Sequence, residues 1–170
     1  MNRFFRLVVI LLLGSVLAGC GFHLRGSGPI TAQNLYLEGL RGNEGFQMEF
    51  DRTVAMAGGR SVSSATQATG VIHVYTLLNQ RRALTLGRFG RANEFDLIYR
   101  LVFDVRSPKG EVISPKQEIE LHRDYYNDQS LPLALKEEEG LIRREMLKEI
   151  AQALVRRANS AVHSYTAPKS

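Results

Sequence analysis

The sequence predicts an α+β domain in which two helices pack on one face of a roughly four-stranded mixed sheet, in the order β-α-β-β-β-α. Two observations carry this reading. Apolar residues recur every fourth position in two separate segments, the spacing of one helix face, whereas residues 95–106 alternate their side chains with a period of two. A run of three strands between the two helices, in place of strict alternation, is the pattern of an α+β fold.

The first strand is Asn34-Leu35-Tyr36-Leu37-Glu38, stopped by Gly39. Asn43 is suited to cap the helix that follows. Phe46, Phe50 and Val54, extended by Ala57, form its buried stripe, and Gly58-Gly59 ends it. Ser61 to Gly70 is Ser/Thr-rich and reads as a loop, with room for a short extended piece. The first strand–helix–strand unit then closes as a parallel crossover. Val71 to Leu86 reads as a long strand, and Gly87-Arg88-Phe89-Gly90 as a hairpin tip.

The return strand is the clearest element. Phe95, Leu97, Tyr99, Leu101, Phe103 and Val105 alternate with Asp96, Ile98, Arg100, Val102, Asp104 and Arg106, and the first set should face the core. Ser107-Pro108-Lys109-Gly110 is a turn signature. A last strand runs from about Gln117 to Tyr126, with Ile119, Leu121, Arg123 and Tyr125 on one face, and residues 127–132 break it. The closing helix spans about Leu133 to His163. Its stripe is Ile142, Met146, Ile150, Leu154 and Ala158, and residues 166–170 form a frayed tail.

Ahead of this domain lies a secretion pattern. Arg3 and Arg6 form a positive amino-terminal region, Leu7 to Leu13 is unbroken apolar, and Leu17-Ala18-Gly19-Cys20 resembles a bacterial lipobox. The apolar run is shorter than the roughly 20 residues a transmembrane helix needs. The expected organisation is therefore a signal peptide over 1–19, a lipidated tether over 20–32 and a single domain over 33–165. Cys20 would carry the lipid, and the absence of aspartate after it, where Gly21 stands, implies the outer membrane.

Cleavage leaves 151 of the 170 residues and, with Arg3 and Arg6 gone, lowers the formal net charge from +5 to +3. So mild a charge does not argue for nucleic acid. Cys20 is the only cysteine, so neither an internal disulfide nor a cysteine metal centre can form.

The sequence offers no catalytic residues, cofactor or metal motif. His23, His73, His122 and His163 are scattered, and no H-E-x-x-H, G-x-S-x-G or Walker pattern occurs. His122 shares a strand face with Glu120 and Asp124, which reads as a solvated polar face or as an acid/base group of a lipid-anchored hydrolase. Charge distribution is more informative. No acidic residue occurs from Arg52 to Asn93, and Arg81, Arg82, Arg88 and Arg91 fall within eleven positions. Arginine suits bidentate phosphate binding, so the cluster fits phosphorylated lipid head groups; a solvated hairpin with ordinary surface arginines accounts for it equally well.

The stretch Cys20-Gly21-Phe22-His23-Leu24-Arg25-Gly26 resembles the opening of the LptE family, the lipopolysaccharide-assembly lipoproteins of the outer membrane. The segment from Tyr125-Tyr126-Asn127 through Ala134-Leu135-Lys136 into the last helix is similar as well. The resemblance implies a non-enzymatic protein that plugs the LptD β-barrel, assists its assembly and binds lipopolysaccharide. It implies a lipopolysaccharide-binding role for Arg88, at the tip before Glu94-Phe95, and for Lys136 before the last helix. Arg91, Arg81 and Arg82 join these candidates from the charge pattern alone. The alternative is an envelope scaffold lipoprotein that binds cell wall or another protein.

Overall fold

A computed structural model describes residues 33–40, 42–86, 90–126 and 132–167. The expected signal, the whole tether over 20–32 with Cys20, the tip residues 87–89 with Arg88, and residues 168–170 lie outside them. Within the described residues the order is β1 (Asn34–Glu38), α1 (Glu44–Met56), β2 (Arg60–Ser61), a 3-10 turn (Ala65–Gln67), β3 (Gly70–Leu86), β4 (Ala92–Arg106), β5 (Val112–Tyr126) and α2 (Pro132–Thr166).

The sheet has five strands, in the order β2-β1-β3-β4-β5. The strand beyond the expected four is β2, a two-residue piece that pairs in parallel with β1 through Asn34 and Leu35. It is held by backbone bonds, Arg60 N–H to the Gln33 carbonyl and Val62 N–H to the Leu35 carbonyl, so side-chain periodicity carries no trace of it. β1 and β3 are parallel, and β3, β4 and β5 form an antiparallel meander.

β5 also begins five residues earlier than Gln117. Arg106 pairs with Val112 and Val105 with Ser114 directly across the Ser107–Gly110 turn, which closes with a Gly110 N–H to Ser107 carbonyl bond. Pro115 is tolerated inside this strand because β5 lies at the sheet edge. The last helix runs through Thr166, three residues past His163, and the Thr166 hydroxyl bonds back to the Val162 carbonyl.

Both helices pack on one sheet face. Asn43 caps α1, its Oδ1 accepting from Phe46 N–H at 3.2 Å, and Phe46, Phe50 and Val54 are buried. Met146, Ile150, Leu154 and Ala158 of α2 are fully buried. They meet Leu97, Leu101, Phe103 and Val105 of β4, all without solvent exposure, as the alternation predicts. No helix among the described residues is long and apolar enough to cross a membrane.

This topology gives the domain two ends. Gln33, where the tether would enter, lies beside Arg60 at the start of the sheet, and β1 and β3 leave that end in parallel. β3 then runs 17 residues, about 50 Å at strand rise, to the β3–β4 tip. The Gln33 end and the tip end are therefore opposite poles.

Candidate functional site

The basic residues singled out from sequence do not form one patch. Arg81 and Arg82 are neighbours in a strand, so their side chains leave on opposite faces. Arg81 points to the helices. Its Nη1 donates to Glu139 Oε2 of α2 at 2.9 Å, and its guanidinium lies 4.5 Å from the centre of the Phe95 ring. Phe95 stacks on Tyr125 with centroids 5.6 Å apart, and the Tyr125 hydroxyl also donates to Glu139, at 2.5 Å. Arg143 donates to Glu139 from one helical turn on, and to Asn79, which in turn donates to the Tyr99 hydroxyl.

Glu139 is thus a hub that ties the amino-terminal part of α2 to the long hairpin. Burial pushes its pKa up, but donors from Tyr125, Arg143 and Arg81 outweigh that and hold the carboxyl below its ordinary range. Burial, and then the adjacent Glu139 carboxylate, push the Tyr125 phenol up. Arg81 is in the first place part of this clamp.

Arg82 belongs to the face that no helix covers. Its Nη2 donates to Asp96 Oδ2 at 3.0 Å, and the Asp96 side chain is 3% exposed. Asp96 also receives His122 Nδ1 at 3.1 Å. The other His122 nitrogen meets Glu120 Oε1 at 2.8 Å, and Glu120 pairs with Arg100 at 2.5 Å. Three strands are laced together by this chain of charges. A second cluster lies nearer the Gln33 end: Asp104 accepts from the Tyr75 hydroxyl at 2.7 Å and from Arg106 at 2.9 Å, and His73 meets Glu38 at 2.8 Å. Burial pushes the Asp104 pKa up, but Arg106 and Tyr75 outweigh it and leave the carboxyl lowered.

His122 donates from both nitrogens only as an imidazolium, and the carboxylates of Glu120 and then Asp96 raise its pKa. A raised histidine contributes stability that is fully present below its unfolded pKa of about 6.5 and lost as pH rises through the folded value. The stability difference between the chain and its His122→Gln variant should therefore be larger at pH 6 than at pH 8.5 in thermal melts. The effect is small because the ring is 47% exposed; equal differences at the two pH values would mean that His122 carries no charge here. The structure pairs His122 with Asp96 and Glu120, not with Asp124. Among the described residues no group of histidine, cysteine and carboxylate side chains could hold a metal ion.

Lys136 is exposed in the early turns of α2. It lies at the tip pole, since Glu139 three residues on reaches Arg81. With Glu137, Gly140 and Arg144 it lines an open cleft of about 530 Å³. Arg144 was not singled out from sequence, although Lys136, Gly140 and Arg144 follow the i, i+4, i+8 spacing that shares a helix face. Arg91 is exposed one residue before β4, next to the tip. Lys136 and Arg144 thus share one face of the start of α2, and Arg91 precedes β4 beside the tip, while Arg81 and Arg82 are bound into the sheet.

Comparison with known proteins follows the same outline. Residues 36–158 match the model of the LptE family, described as lipopolysaccharide-assembly. The LPS-assembly lipoprotein LptE of Pectobacterium atrosepticum is 28% identical over 159 residues, covering 92% of this chain and 85% of that protein. Among solved structures, the rare lipoprotein B of Shewanella oneidensis superposes with a TM-score of 0.64 at 24% identity, covering 79% of this chain and 99% of its own. An uncharacterized lipoprotein B of Nitrosomonas europaea gives 0.63 at 24% identity, covering 88% and 99%. These two likenesses establish a shared fold.

Proposed function

The chain belongs to the LptE lipopolysaccharide-assembly family, and from that premise we propose that it is the lipid-anchored outer-membrane subunit that plugs the LptD β-barrel, assists its assembly and binds lipopolysaccharide for insertion into the outer leaflet. The observation that carries this reading is the family match over 36–158, which spans most of the described domain. In this reading acylated Cys20 roots the protein in the inner leaflet of the outer membrane.

Two features of the fold support it. A rooted domain must reach across a bilayer about 40–45 Å thick with its headgroups. The roughly 50 Å from the start of β3 to the tip is enough. Second, the helix-free sheet face is laced with ion pairs from Arg82 to Glu120, a surface suited to the polar, hydrated interior of a barrel. At the far pole Lys136 is exposed, and Arg88 falls nearby in the sequence, between β3 and β4. Charge-assisted hydrogen bonds to phosphate need such groups, and the phosphates of lipopolysaccharide are the ligand they fit.

The test is a detergent pull-down of the tagged chain and of its Arg88→Glu variant from the native outer membrane, read for co-purified barrel and lipopolysaccharide. The expected result is one large β-barrel per chain in both, with less lipopolysaccharide held by the variant. A chain that comes down alone or with cell-wall material would overturn the assembly reading in favour of a scaffold. Unchanged lipopolysaccharide in the variant would remove the role given to the tip.

A further inference from the structure

The two edges of the long hairpin sheet are treated differently. On β5, the outer edge is closed off in several ways. Pro115 removes a backbone donor, Arg157 Nη1 donates to the Glu118 carbonyl at 2.9 Å, and Arg123 Nη1 donates to the His122 carbonyl at 2.9 Å. On the other side, β1 covers β3 only from Gly70 to His73. Beyond that, Thr76 to Ala83 stays in unbroken register with β4, between bulges at Val74/Thr76 and Ala83/Thr85. Among the described residues no strand and no side chain bonds the backbone of Thr76–Ala83 on the side away from β4. Among the described residues, this eight-residue stretch of regular strand edge therefore presents unmatched N–H and C=O groups at alternate positions, without proline or a bulge to blunt them.

Such an edge is complemented by another extended chain. Its side chains say which kind. Arg81 and Arg82 remain 49% and 64% exposed even with their partners Glu139 and Asp96, and the strand itself, Gly70–Leu86, carries no acid. Leu78 and Leu84 add apolar surface, at 40% and 43% exposure. A second copy paired antiparallel over these eight residues would set Arg81 against Leu78 and Arg82 against Leu77, and so leave both arginines without a carboxylate across the new pairing. A different chain with acidic and apolar residues would not.

We propose that the open edge of β3, Thr76 to Ala83, is a docking edge that takes an extended acidic segment of the barrel partner as a sixth strand of the sheet. This rests on the assembly reading above and names where the partner binds.

The test is residue-resolved amide hydrogen exchange of the full acylated chain, alone in detergent and in its purified complex with the barrel. In a strand, successive N–H groups point to opposite edges, so only alternate amides of Thr76–Ala83 face outward. Those amides should exchange freely in the isolated chain and slow by about a hundredfold or more in the complex, as paired strand amides do. The β5 edge should be unchanged. An intact complex with the outward β3 amides still exchanging freely overturns the docking edge and leaves the assembly reading standing. Failure to form a complex overturns both. Protection in the isolated chain that grows with its own concentration identifies a second copy as the occupant and overturns the proposal.

Discussion

Replacing Phe103 by alanine is expected to lower the unfolding free energy by about 3–5 kcal/mol, the range for deleting a buried aromatic ring. Phe103 has no solvent exposure and stands in the central strand β4, paired with Val74 on one side and Gln117 on the other. Its ring points to the helix side, so the loss combines the transfer energy of the ring with an unfilled cavity. Against a typical total of about 5–15 kcal/mol, that is a large share. Val102→Ala is the matched comparison. Val102 is the preceding residue, half-buried on the helix-free face, and its truncation should cost about 1 kcal/mol or less. Urea melts with unchanged slopes would read both. Equal costs for the pair would mean that β4 does not present its alternate face to the helices.

The β4 alternation was legible because one face packs apolar side chains on the helices and the other carries charged ones, which writes a period of two into the residues themselves. The stripes of α1 and α2 were legible for the same reason: Phe46, Phe50 and Val54, and Met146, Ile150 and Leu154, are buried as their spacing requires. β2 and the first residues of β5 were not, because backbone register holds them and any side chain satisfies that. At the candidate site, strand alternation alone separates Arg81 from Arg82, and that part could be read from their adjacency. Their partners could not. Glu139 lies 58 residues from Arg81, and the Glu139 clamp with Tyr125 and Arg143 exists only once α2 packs on the hairpin. Asp96 and Asp104 alternate with the core-facing set in the sequence, which does not tell of their burial. They are 2% and 3% exposed because arginine, histidine and tyrosine side chains from neighbouring strands lie over them. A sheet face without helices can bury charge under its own long side chains.

Cys20→Ala is expected to have the largest effect of all, transferring the chain from the membrane fraction to the soluble fraction. Each buried methylene of an acyl chain contributes about 0.8 kcal/mol, and two chains already anchor a protein stably, so losing the thiol that carries them removes the whole of that affinity. No helix among the described residues is long and apolar enough to cross a bilayer in its place. The fold itself should be indifferent to the change, because the domain's first strand begins at Asn34, well after Cys20. Fractionation together with a melting curve therefore separates anchoring from folding: the variant should become soluble with an unchanged melting temperature. The barrel assembly reading sharpens the expectation. A plug held on many surfaces within a barrel would keep part of the variant at the membrane through the partner alone, and that part should vanish when the barrel is depleted. A variant that stays fully membrane-bound after depletion would show that something other than acylated Cys20 holds the chain there.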